Sequence, residues 1–102
     1  MRDFDSLVPV LHDEFKECMS LFMELYDAIS KRLAARAVEH LDLPIDADEV
    51  AYLIDGALLD NHWFFAALNE KSKKAGMSHN EYLVRYFVRR IKEYSEYIDD
   101  DV

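Results

Sequence analysis

The sequence predicts an all-α fold of about four helices, bundle-like, with a long N-terminal helix packed on two C-terminal ones. Three observations carry that reading. Two glycines and two prolines among 102 residues leave few connections, and 51% hydrophobic residues supply enough apolar mass for one core. Apolar residues recur at alternating steps of three and four in two places, the mark of a helix face rather than a strand. Finally, Asp46-x-x-Glu49 and Ser78-x-x-Glu81 are helix-start patterns in which a capping side chain is followed by a glutamate. At this length a single helical domain, residues 1–102, is expected.

The first helix has the clearest seam: Val8, Leu11, Phe15, Cys18, Phe22, Leu25 and Ile29. Leu7, Met19, Leu21, Met23, Tyr26, Ala28 and Leu33 widen it beyond what a two-stranded coiled coil needs. Asp5 or Ser6 caps its start, and Pro9 is tolerated in the first turn, where its missing N–H has no partner to lose. The helix is expected from about Ser6 to about Leu41, stopping ahead of Pro44, because the residue before a proline is pushed out of the α region. So wide a stripe must be covered on two sides, and a homodimer is expected to help cover it.

Leu43-Pro44-Ile45 connects to a second helix, capped by Asp46 with Glu49 reaching back, whose face is Val50, Leu53, Ile54, Ala57 and Leu58. Gly56 within it costs about 1 kcal/mol relative to alanine. Two readings stand here. Either one helix runs on across Gly56, or Asp60-Asn61 breaks it and caps a further helix, Trp63 to Ala75, closed by Gly76. Trp63-Phe64-Phe65 is expected in the core. Ser78 opens the last helix, whose seam is Val84, Phe87, Ile91, Tyr94 and Ile98. The aspartate-rich end, residues 98–102, is expected to form a disordered acidic tail.

Charge is strongly segregated. The chain carries −9 overall, yet Lys71 to Lys92 holds seven basic residues against one acid, a balance of +6, leaving −15 on the rest. Such a dipolar surface steers association with charged macromolecules. The candidate partner- or anion-binding residues are therefore Lys71, Lys73, Lys74, Ser78, Asn80, Arg85, Arg89 and Arg90. Tyr82 and Tyr86 beside them are candidate interface aromatics, because tyrosine makes contact area at low entropic cost. Two readings compete with this: Arg85, Arg89 and Arg90 would form a solvated outer face, or these cations would neutralise the acidic first helix through Asp13, Glu17, Glu24 or Asp27.

Catalytic and metal-binding patterns are missing from the sequence. No histidine has a glutamate three residues before it, as the Glu-x-x-His motif of di-iron bundles requires. His12 beside Asp13 and His40 beside Glu39 point about 100° apart on a helix and make no site. Cys18 lies on the seam, where a thiol is buried and inert. Two glycines make no phosphate loop. Neither a catalytic residue, a metal nor a cofactor is expected, and the chain reads as a non-enzyme. One cysteine fits a reducing cytoplasm, the N-terminus lacks a secretion signal, and the longest apolar run, Trp63–Leu68, is too short to enter a membrane as a span.

The stretch from Leu68 to Leu83 closes a helix with Ala75-Gly76 and opens another with Met77-Ser78-x-Asn80-x-Tyr82-Leu83. Over roughly residues 62–92 this resembles the two helices of ribbon-helix-helix proteins, of the Arc and HicB types. The resemblance implies an intertwined dimer whose paired strands enter the DNA major groove, with the ribbon at Tyr52–Leu59. It also implies that Gly76, Met77, Ser78 and Asn80 hold a phosphate, with Lys73 and Lys74 beside them. The expected function is thus a small regulatory protein that binds a macromolecule, first a protein, as an adaptor, antitoxin-like or inhibitor module. A DNA-binding repressor is the alternative. An acidic mimic of nucleic acid, of the kind phages and mobile elements use as inhibitors, comes third: residues 1–60 hold 14 acids and 5 bases.

Overall fold

The seam of the N-terminal segment is cut in two, and that break sets the architecture. The computed structural model describes residues 3–21, 25–62 and 65–100, and their side chains apart from 60–62, 65–69 and 100. After a 3-10 turn, Phe4–Ser6, come α1 (Leu7–Ser20), α2 (Tyr26–His40), α3 (Ala47–His62), α4 (Phe65–Lys74) and α5 (His79–Asp100). The fold is 85% helical, with no strand among the described residues.

A single helix over the 36 residues from Ser6 to Leu41 would be about 54 Å long. The longest dimension of the fold is 39 Å. Instead, α1 stops where Leu21 leaves the helical region (φ −86°, ψ 6°), and Leu25 is extended (φ −84°, ψ 119°). The Ser20 hydroxyl donates to the Lys16 carbonyl at 3.0 Å, a back-bond that bends helices. Folding back lets the two halves cover each other: Leu11, Phe15 and Cys18 of α1 and Ile29 and Leu33 of α2 are all buried. Arg32 of α2 locks the pair, with Nε 2.5 Å from Glu14 Oε1 and Nη2 2.6 Å from Glu17 Oε1.

This corrects the expectation of one long helix. Of the seam, Val8 is half-buried, Leu25 is 72% exposed, and Phe22 lies outside the described residues. Leu7, Leu11, Phe15, Cys18, Ile29 and Leu33 of the stripe are covered within the chain, while Met19, Leu21 and Leu25 stay exposed.

Four helices close into a ring in which α1 packs on α2, α2 on α3, α3 on α5 and α5 on α1. The two halves of the N-terminal segment thus divide the C-terminal helices between them. Inside the ring lie Leu7, Leu11, Leu33, Ile54, Phe87 and Ile91, all fully buried. Phe15 and Phe87 meet edge to face, centroids 5.9 Å apart at 62°, which joins the first helix to the last. Buried Ala34, Ala37, Ala51 and Ala57 let α2 and α3 pack closely. α4 stands outside the ring and, among the described residues, touches α3 and α5.

α3 runs through Gly56 to His62 and α4 is a separate helix from Phe65, so the reading of two helices holds, with the end of the first falling past Asp60-Asn61. Asp46 Oδ1 accepts the Glu49 N–H at 2.9 Å, as its capping role requires. Trp63, Phe64 and the Phe65 side chain lie outside the described residues. α4 ends in a Schellman motif: Gly76 takes φ 70°, its N–H donates to Lys73 O at 3.1 Å, and the Met77 N–H donates to Ser72 O at 3.0 Å. Ser78 Oγ then accepts the Glu81 N–H at 3.2 Å and starts α5. Ile98 packs on the core and carries α5 to Asp100, so residues 98–100 are helical rather than a disordered tail. No helix among the described residues is long and apolar enough to cross a membrane.

Candidate site for an acidic partner

Val84, Phe87, Val88, Ile91 and Ser95 fix the inward face of α5. At about 100° per residue, Tyr82, Arg85, Tyr86 and Arg89 must then share the outward face of its first half. They do: with Met77 from the preceding turn they line a concave site of about 180 Å³. The Arg89 guanidinium carbon stands 5.3 Å from the centre of the Tyr86 ring, a cation–π contact that holds the arginine over the tyrosine. Arg85 Nη2 lies 3.4 Å from Glu81 Oε1, an exposed pair one turn apart that positions the guanidinium without burying it.

The other sequence candidates surround this site unevenly. Lys71, Lys73 and Lys74 are exposed in the last turn of α4, where the helix dipole favours positive charge. Ser78 is exposed but its oxygen already caps α5, and Asn80 is half-buried in the first turn. Arg90 points elsewhere: it lines a different cleft with Leu53, Glu93, Tyr94 and Tyr97. Met77 entered the sequence reading only through the ribbon-helix-helix resemblance, as one of the residues that would hold a phosphate. Its position just after Gly76 was the available signal, since the residue after a Schellman glycine is commonly apolar and packs back on its helix.

No protein-family model, curated protein or solved structure matches this chain.

The ion pairs among the described residues bear on the internal reading of the basic segment. Glu14 and Glu17 are held by Arg32, Asp27 by Lys31 at 3.0 Å, and Glu39 by Arg36 at 3.7 Å. Four of the five acids of α1 and α2, all but Asp13, are therefore served by α2 itself. Among the described residues Lys71, Lys73, Lys74, Arg89, Arg90 and Lys92 pair with no carboxylate. Asp13 pairs with none of them, and Glu24 lies outside the described residues. Among the described residues, internal pairing therefore accounts for Arg85 alone in the segment.

Tyr52–Leu59, the stretch that the ribbon-helix-helix resemblance reads as a strand, lies within α3. Val50, Ile54 and Ala57, spaced by three and four, are fully buried there and fix the helix. Among the described residues no three His, Cys, Asp or Glu side chains gather where a metal ion could sit. Cys18 is fully buried, and that burial pushes its thiol above the ordinary range, with Arg32 opposing the shift. A protonated, enclosed thiol is a poor nucleophile.

Proposed function

We propose that the protein is a small, non-catalytic regulatory module that binds an acidic segment of a protein partner through Tyr82, Arg85, Tyr86 and Arg89. The observation that carries this is the largely unspent positive charge: a chain of −9 holds a basic stretch of +6 of which, among the described residues, Arg85 alone pairs with an acid, the exposed Glu81 one turn away. Guanidinium groups recognise carboxylates in bidentate fashion, and tyrosines beside them add amphipathic contact area. A duplex fits less well. Phosphates follow each other along a long backbone, so DNA leaving the patch would meet the surface that carries −15. A short acidic segment need not. Adaptor, antitoxin-like and inhibitor roles all require such a docking surface and no reacting group, metal or cofactor.

A homodimer would use another patch, Met19, Leu21 and Leu25, which are exposed at the α1–α2 end. The unpaired Cys18 suits a reducing cytoplasm.

Fluorescence anisotropy with a labelled Glu/Leu peptide and, separately, a labelled duplex tests the reading. The peptide should bind and weaken about tenfold when Arg85 and Arg89 are both changed to glutamate. Duplex binding with a steep salt dependence and no peptide binding would replace the protein partner with DNA.

A further inference from the structure

A second cleft lies on an adjoining face of α5, about 12 Å further along the helix, and its charge is opposite. Tyr94 of α5 faces Tyr52 and Leu53 of α3 across a cavity of about 360 Å³, rimmed by Asp46, Asp48 and Glu49. Leu53 and Tyr94 are shared with a neighbouring cleft of about 240 Å³ that continues past Arg90 and Tyr97. The two form one groove between α3 and α5, open along its length. Tyr52, at 79%, is the most exposed large hydrophobic side chain among the described residues, and Tyr97 at the other end is 67% exposed. The Tyr97 ring sits 6.4 Å from that of Tyr94, so the wall of the groove is largely aromatic.

We infer that this groove docks an arginine-bearing segment of a polypeptide partner, the guanidinium entering between Tyr52 and Tyr94. The aromatic walls and the Leu53 floor make the groove a docking surface, and the charge at its rim selects the occupant. Tyrosine faces attract cations, and arginine in particular stacks on them while bonding carboxylates through its planar edge. Asp48 and Glu49 supply those carboxylates; among the described residues neither pairs with a cation of this chain. Lys31 of α2 acts on Asp48 only at a distance, its ammonium being held by Asp27 at 3.0 Å. Asp46 is partly committed to capping α3. A lone small cation would leave the continuation past Tyr97 uncovered, whereas a chain can seat apolar residues there. Apart from Arg90, which lines the continuation of the groove, the site shares no residue with the basic surface, and it prefers the opposite charge, so each can fail without the other.

The test uses the full chain and labelled peptides of alternating Arg and Leu, with citrulline replacing Arg in the control. Binding should be seen for the arginine peptide and be lost or strongly reduced for the citrulline one. Tyr52→Ala, which changes no charge and removes an exposed side chain, should weaken binding about fivefold, and Tyr52→Phe should restore it. Glu49→Gln should weaken it more than Asp13→Asn, an equal charge change outside the groove. The Arg85→Glu, Arg89→Glu double variant should bind the arginine peptide at least as well as the parent. The inference is overturned if the arginine peptide does not bind, if Tyr52→Ala binds as the parent does, or if Glu49→Gln and Asp13→Asn are equivalent. In the last two cases the peptide is reading net charge alone.

Discussion

Replacing Phe87 by alanine tests the closure of the ring, because Phe87 is fully buried and its ring meets Phe15 of α1 edge to face at 5.9 Å. Large-to-small changes at such a position cost about 3–5 kcal/mol, the lost transfer energy adding to the cavity left behind. A chain of 102 residues is expected to have a total stability of about 5–15 kcal/mol. The variant should therefore keep its fold only narrowly. With a urea dependence of roughly 1–2 kcal/mol per molar, the unfolding midpoint should fall by about 1.5–5 M. Tyr97→Ala, at a side chain 67% exposed, should stay within about 0.5 kcal/mol and serves as the control. In a double-mutant cycle with Phe15→Ala the two losses should fall short of additivity by about 1 kcal/mol. A Phe87→Ala loss below about 1 kcal/mol, or strict additivity with Phe15→Ala, would refute the packing of the last helix on the first.

Three further outcomes follow from particular residues. Gly56→Ala should raise stability by about 0.5–1 kcal/mol in urea titration, because the position is helical and a methyl group there meets nothing within 4 Å; a decrease would mean the site is crowded. The Glu49 charge beside Tyr94, with desolvation and a hydrogen bond to Glu49 adding to it, holds the phenol above its ordinary value of 10.0. A raised folded value means that the pair's contribution is intact below about pH 10 and is lost as pH climbs through the Tyr94 titration. Ultraviolet difference spectroscopy should show one late-ionising tyrosine that reverts towards the ordinary value in Glu49→Gln. Buried Cys18 should react with a disulfide reagent at least about tenfold more slowly in the native protein than in urea, since both access and thiolate formation require opening. Equal rates would place Cys18 at the surface.

Local signals made some elements legible and left others hidden. α5 could be read from its start to its last turn, because its seam, its Ser78 cap and the Gly76 stop all lie within one stretch; its aspartate-rich end could not. The break between α1 and α2 could not. The seam keeps its steps of three and four through Phe22 and Leu25, and neither glycine nor proline marks the turn. What breaks the helix is tertiary: two halves that bury Leu11, Phe15, Ile29 and Leu33 by covering each other. The chain's charge segregation exposed the basic surface, and the spacing of Tyr82, Arg85, Tyr86 and Arg89 placed them together. Treating Arg90 as their companion overlooked that adjacent helix positions diverge by about 100°, and it faces the other groove. That groove escaped notice because Tyr52 and Tyr94 meet only when α3 packs on α5.

The unspent cations of α4 and α5 also bear on how the molecule is held together. Arg32 serves α1, Lys31 and Arg36 serve their own helix, and the ring is closed by apolar contacts. Removing charge from the basic surface should therefore leave the fold intact, which makes that surface open to mutation without confusing binding with stability.

Amide-resolved nuclear magnetic resonance during titration with a Glu-rich peptide bears most directly on what this surface is for. Chemical-shift changes should gather on Met77, Tyr82, Arg85, Tyr86 and Arg89 and vanish in the Arg85→Glu, Arg89→Glu variant. Changes spread over α1 and α2, or none at the start of α5, would contradict a docking role for the one basic stretch in this acidic chain.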